Sequence, residues 1–240
     1  MSSMRRPVKI PRRIFWAQLT ACFVPGCTSL GVGASSRKSR AWDASLGPVP
    51  SSKISPSQLS RSVNLRRSYI PRGRYGRRKH RPMKPTYITI HSTQNYSGDA
   101  WAHAKALRRG ALRGGTIGYL CWHFTVQEDV AVQHIPTSEQ GEHADFDGPG
   151  NRKSIAIEMC EHRGNSQART LDRTAKLTAS LMYHHKIPIS HVVPHYHWPR
   201  KGYSPAHKNC PHYLLENGRP GPTWAWFKGR IEKHYQRISA

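Results

Sequence analysis

A histidine, a cysteine and a lysine stand close together near the end of the sequence, among aromatics and prolines: Val193-Pro194-His195-Tyr196-His197-Trp198, then Lys208-Asn209-Cys210-Pro211-His212. His195 and Cys210 are fifteen residues apart, so an intervening loop can fold back and bring them together. With His91, about a hundred residues upstream, they would offer two nitrogens and one sulfur. Zinc takes such donors in a tetrahedron, and a catalytic site leaves its fourth position to water. The cysteine would bind as thiolate. Spacing alone does not select this triple. The chain has 15 histidines, and His197 and His207 compete as ligands. Glu158 stands alone among apolar residues in Ser154-Ile155-Ala156-Ile157-Glu158-Met159-Cys160. An ionised carboxylate there must be paired or its pKa must rise. It is either a proton-transfer group or a buried acid bonded to the backbone or to Asn151.

The elements that must position these residues are legible. Thr86-Tyr87-Ile88-Thr89-Ile90-His91 is β-branched and aromatic, and predicts a strand with His91 at its exit. Asp99 to Arg109 predicts a helix stopped by Gly110. Leu120 to Val126 predicts a second strand, paired as a hairpin with Val130 to Ile135. Ser154 to Cys160 predicts a third, reached through a Gly-, Asp- and His-containing loop at 141–152. Leu171, Ala175, Leu177, Leu181 and Met182 form an apolar stripe on a helix from Arg169 to His185. Val192-Val193 is a short strand feeding His195, and Trp224 to Ile238 a last packing helix. Strands and helices alternate, so the expected fold is α/β: a single mixed central sheet flanked by helices.

Charge divides the chain differently. The net charge is +25, with 38 Lys and Arg against 13 acids. Nineteen of those bases lie in residues 1–84, where Asp43 is the lone acid; residues 85–240 hold 19 bases against 12 acids. Residues 1–27 read as a signal segment: five bases, a short apolar run from Ile14 to Val24, then Val24-Pro25-Gly26-Cys27. The ending is similar to a bacterial lipoprotein signal, which implies acylation of Cys27 and a lipid anchor. Residues 28–84, rich in Ser, Arg, Pro and Gly without a lasting period, predict a basic, disordered linker. Such a segment favours anionic polymers or membrane surfaces over any specific nucleic acid. The folded domain is then 85–240. Five cysteines at irregular spacing make no disulfide framework, and Cys121 and Cys160 sit in apolar runs as small hydrophobes.

Several stretches together resemble one family. These are Tyr87-Ile88-Thr89-Ile90-His91-Ser92-Thr93, Trp122-His123-Phe124-Thr125-Val126, His143 in its loop, Asn151-Arg152-Lys153-Ser154-Ile155-Ala156-Ile157-Glu158, Val193-Pro194-His195 and Lys208-Asn209-Cys210-Pro211. Their order and spacing are similar to those of the zinc N-acetylmuramoyl-L-alanine amidases, which include the phage T7 lysozyme type and the peptidoglycan recognition proteins. The resemblance covers about residues 85–215. It implies that His91, His195 and Cys210 bind zinc. It also implies cleavage of the amide between the lactyl group of N-acetylmuramic acid and L-alanine in peptidoglycan or its fragments. Lys208 matches the family's oxyanion-stabilising lysine, with Lys201 as a rival, and Glu158 matches a catalytic glutamate. Some relatives carry a catalytic tyrosine where this chain has Trp122. Indole exchanges no proton usefully, so the burden falls on Glu158. His123, His143, Asn151 and Trp122 are expected to touch substrate or to stand behind the ligands. Pro199 to His207 reads as an insertion. The implied protein is a monomer, exported to the periplasmic face of a membrane or otherwise secreted. A non-catalytic wall-binding module on the same fold is the alternative; such modules typically lose the cysteine ligand, which is present here.

Overall fold

The computed structural model describes residues 36–114 and 118–239. Six strands build the central sheet: β1 (Leu65–Arg67), β2 (Tyr87–Ser92), β3 (Phe124–Val126), β4 (Ala131–Gln133), β5 (Ser154–Met159) and β6 (Val192–Pro194). Their spatial order is β1-β4-β3-β5-β2-β6. β3 and β4 form the expected antiparallel hairpin, and all other pairings are parallel, so the sheet is mixed. β2 and β5 lie inside the sheet and are covered on both faces. Their burial is accordingly almost unbroken along the strand rather than alternating, with Thr89, His91 and Ser92 buried beside Ile88 and Ile90.

Six helices are described: α1 (Arg37–Leu46), α2 (Pro56–Ser62), α3 (Ala100–Arg109), α4 (Pro149–Lys153), α5 (Gln167–His185) and α6 (Pro222–Gln236). A small hairpin, β7 (Leu215–Glu216) with β8 (Arg219–Pro220), precedes α6. Asp99 caps α3 by accepting the Ala102 N–H, and Gly110 closes it in the left-handed conformation at φ 66°. The apolar stripe of α5 packs on β5 and β3, and α6 packs against α5; the shared core buries Ile88, Ile90, Ile155, Ile157, Leu171 and Phe227. A smaller apolar group, including Leu107, Trp122, Ile135 and Ala156, fills the other face under α3. Cys121 and Cys160 are free and fully buried, as small hydrophobes.

The expectation of a disordered linker up to residue 84 is corrected from residue 36 onward. This segment is a folded belt around the domain. Ser36 caps α1, whose Trp42 packs edge-on against Tyr213 and tilts against Trp226. Ser55 and Gln58 make a capping box at α2, with Pro56 at its first position. Leu59 and Val63 enter the main core, and β1 then extends the sheet beyond β4. The chain continues along that edge through the Ser68 and Ile70 N–H groups, which donate to the Gln133 and His134 carbonyls. Average composition hides this fold because few residues carry it. Trp42, Leu59, Val63, Ile70 and Met83 are buried between long polar stretches. The lipidation candidate Cys27, the signal segment and linker residues 28–35 lie outside the described residues. No helix among the described residues is long and apolar enough to cross a membrane.

Arg77 anchors the belt. Its Nε and Nη2 donate to the two Glu139 oxygens at 2.7 Å each, and Nη1 donates to the Ile70 carbonyl. Both partners are buried. Arg77→Ala would leave a buried carboxylate unpaired, and is expected to cost about 3–5 kcal/mol in denaturant melts. The hydrogen bonds from Arg77 hold the Glu139 carboxyl below its usual range. The contribution of this pair is therefore complete above about pH 4.3, the ordinary glutamate value. It declines as pH falls through the folded-state value. The melting difference between wild type and Arg77→Ala should shrink below that pH; a constant difference would count against the pair.

Candidate active site

Register brings the chemistry together. β2 and β5 are parallel neighbours, with His91 directly opposite Glu158. β6 flanks β2 on its other side, and Pro194 is the partner of Ile90, so His195 follows at the level of His91. These side chains thus gather at the carboxyl ends of three adjacent parallel strands, where open α/β sheets place their crevices. Two contacts fix the return of the chain from His195 to Cys210. The Tyr196 N–H donates to the Cys210 carbonyl at 3.1 Å, and Trp198 Nε1 donates to Thr89 Oγ1 at 2.8 Å.

One ligand atom from each of His91, His195 and Cys210 lies within 4.8 Å of the others, and all three residues are buried. His91 Nδ1 is 4.0 Å from Cys210 Sγ, while its Nε2 meets His143 Nδ1 at 3.1 Å. His195 Nε2 meets the Ala144 carbonyl at 3.3 Å, and its Nδ1 is buried without a hydrogen-bond partner. A carbonyl only accepts, so the His195 proton sits on Nε2 and the Nδ1 lone pair faces the cluster. Burial, with Lys208 adding repulsion, drives His195 down to about 3; burial and then His195 push His91 well below its ordinary value. Both rings are therefore neutral donors near pH 7. Burial pushes the Cys210 thiol up to about 12, against the pull of Lys208 and the Ser92 N–H, which lies 3.4 Å from Sγ. A thiolate there calls for a cation beside it. Two neutral imidazoles, a sheltered sulfur and an orphaned nitrogen fit zinc. His197 and His207 are not in this cluster: His207 Nδ1 bonds to the Tyr196 carbonyl, and His197 is exposed beside Tyr87.

A cavity of about 280 Å³ opens over the cluster, lined by His91, Trp122, His143, Glu158, His195 and Lys208 among others. Glu158 Oε1 is 3.8 Å from His91 Nδ1, and its Oε2 is buried without a partner. Burial raises this carboxyl to about 7, despite the opposing charge of Lys208. The alternative of an acid satisfied by Asn151 does not hold, because Asn151 bonds elsewhere. Lys208 lines the cavity; its rival Lys201 is exposed and does not. Trp122 forms an apolar wall, with its indole N–H given to Thr125 Oγ1 at 2.7 Å.

His123 is corrected. It was expected to contact substrate or to stand directly behind a ligand. It is fully buried, its Nε2 bonded to the Glu139 carbonyl and its Nδ1 accepting the Ala156 N–H, so it braces the sheet behind His143. Sequence reasoning missed the opposite wall, where the Phe146 and Tyr203 rings stack at 5.9 Å and Arg200 lies 4.5 Å over Tyr203. Arg200 and Tyr203 belong to the segment read as an insertion, and their cation-plus-aromatic pairing was the available signal.

Comparison with known proteins agrees with this geometry. A family model described as N-acetylmuramoyl-L-alanine amidase (Amidase_2) matches residues 81–213. The chain is 37% identical over 172 residues to the N-acetylmuramoyl-L-alanine amidase XlyA of Bacillus subtilis, covering 70% of this chain and 51% of that protein. It is 35% identical over 159 residues to CwlH of the same organism, covering 65% and 58%. The chain thus spans a little over half the length of these curated relatives. Among solved structures, a mutant endolysin from Bacillus subtilis superposes with a TM-score of 0.60 at 37% identity, covering 70% of this chain and 98% of that one. The catalytic domain of XlyA gives 0.58 at 35% identity, covering 70% and 99%. A match across more than half of the sequence, over strands β2 to β6 and the residues that form the cluster, places the chain in the Amidase_2 family of N-acetylmuramoyl-L-alanine amidases.

Proposed function

We propose that this protein is a zinc-dependent hydrolase of peptidoglycan or its fragments, cutting the amide between the lactyl group of N-acetylmuramic acid and L-alanine. The supporting observation is the convergence of His91, His195 and Cys210 beside an unpartnered Glu158 oxygen and Lys208 in one cavity. His91 and His195 through Nδ1, and Cys210 through Sγ, would hold the metal. When bound there, zinc supplies a Lewis acid that polarises a carbonyl and acidifies water. Glu158 takes the proton of the attacking water and returns it to the leaving nitrogen of alanine. The Lys208 ammonium opposes the charge that builds on the amide oxygen. Trp122 and the Phe146–Tyr203 wall confine the substrate and exclude water from the reacting amide.

Digestion of purified muropeptides tests this reading. With zinc, the full chain should release free stem peptide with a new L-alanine amino terminus; no release would end the proposal. In the same assay Lys208→Ala is expected to lose about 100- to 1,000-fold in kcat, while Lys201→Ala stays near wild type. The reverse order would move the oxyanion role to Lys201.

Residues 1–27 are proposed to export the protein, with Cys27 as the site of a lipid anchor; the support is the sequence pattern Val24-Pro25-Gly26-Cys27. An intact mass of the mature amino terminus decides it: a terminal acylated Cys27 is expected, and an unmodified start discards the anchor.

A further inference from the structure

Asn151 lies on α4, is 1% exposed, and has no contact with the metal-binding triad. Its side chain nevertheless uses its whole hydrogen-bonding capacity on one short segment. Oδ1 accepts the N–H groups of His143 at 2.9 Å and Ala144 at 2.8 Å. Nδ2 donates to Glu142 Oε1 and to the Phe146 carbonyl, both at 2.6 Å. An amide has two acceptor and two donor sites, and all four are engaged.

That segment carries the outer contacts of both histidines of the triad. His143 Nδ1 faces His91 Nε2, and the Ala144 carbonyl faces His195 Nε2. Each contact fixes a ring so that Nδ1 is left for the cluster. The segment has no strand or helix of its own from 142 to 146. It is tied at one end by the exchange of backbone hydrogen bonds between Glu142 and Cys121. At the other end Asp145 accepts the N–H groups of Gly150 and Asn151 at 2.9 Å each. Between these ties, the His143 and Ala144 N–H groups depend on the Asn151 oxygen. Gly150 lets α4 approach this closely: a Cβ there would lie 2.8 Å from Asp145 Oδ1 and 2.9 Å from both the Ala144 Cβ and the Trp198 ring.

We infer that Asn151 is a positioning residue that sets the metal-facing nitrogens of His91 and His195 together, by holding the peptide of residues 142–146 against both rings. The inference rests on the metal-binding reading above. Groups that orient metal-binding histidines from behind typically contribute about 10- to 100-fold in metal affinity when removed.

Zinc affinity of the full chain, measured by chelator competition, tests it, together with the absorption spectrum of the cobalt-substituted protein. Wild type should bind one zinc, and Asn151→Ala should bind about 10- to 100-fold more weakly with an altered cobalt spectrum. Because Asn151 acts partly through His143, adding Asn151→Ala to His143→Ala should cost less affinity than it does alone. Melting of the zinc-free proteins separates folding from positioning: a lower melting temperature with unchanged zinc affinity and cobalt spectrum means a purely structural role and overturns the inference. If Asn151→Ala does not fold, Asn151→Ser, the milder cut, should still lose about tenfold in affinity, and wild-type affinity there would overturn it equally. A wild-type chain that binds no zinc would instead overturn the metal-binding reading itself.

Discussion

Replacing Glu158 by glutamine is expected to lower kcat by about 100- to 10,000-fold while leaving one zinc per chain and an unchanged fold. The substitution keeps the shape and length of the side chain and removes its capacity to carry a proton. Oε2 is buried without a hydrogen-bond partner, so no protein donor competes for it, and the residue lines the cavity together with His91. A group in this position has only the substrate and its water to serve. KM should change little, because the carboxylate acts on the reacting atoms rather than on the remote parts of the ligand. Steady-state kinetics on a defined muropeptide, with metal content measured on the same sample, separates this role from a structural one. A variant that kept about a tenth or more of wild-type kcat would remove Glu158 as the proton carrier.

Cys210→Ala is expected to abolish stoichiometric zinc and, with it, hydrolysis. Alanine leaves two neutral imidazoles and removes the anionic member of the triad, so the donor set falls from three to two. The change is visible without any substrate. A ligand that binds only the folded state stabilises it by about 2.7 kcal/mol at a hundredfold excess over Kd. Added zinc should therefore raise the melting temperature of wild type and leave that of Cys210→Ala where it stood. Zinc-dependent stabilisation of the variant would show that the thiolate is not a ligand.

Both predictions concern residues that the sequence made conspicuous, but not the distances between them. Glu158 stands out as an acid in an apolar strand; its place opposite His91 follows from parallel register, which no local pattern encodes. The central strands and the helices α3, α5 and α6 were legible because burial on one or both sides writes long apolar patterns. The belt of residues 36–84 was not, because its few buried residues are widely separated. One local sign was present: Ser55-Pro56-Ser57-Gln58 starts a helix in the manner of a capping box. His123 misled for the opposite reason. Its chemistry is that of an active-site residue, but the Glu139 carbonyl in the loop after β4 and the Ala156 N–H on β5 use both ring nitrogens.

β1 has a consequence for solubility as well as for architecture. It covers the outer side of β4, whose three residues Ala131–Gln133 are all buried. The family match begins at residue 81, downstream of β1. A chain cut there would present β4 as a bare margin of the sheet, with open backbone donors and acceptors along an apolar strand. Such a margin invites a second molecule to add on. In the intact protein the margin is β1 itself, short and carrying the exposed Arg66 and Arg67. Two copies approaching edge to edge there would bring like charges together, which opposes pairing along that margin.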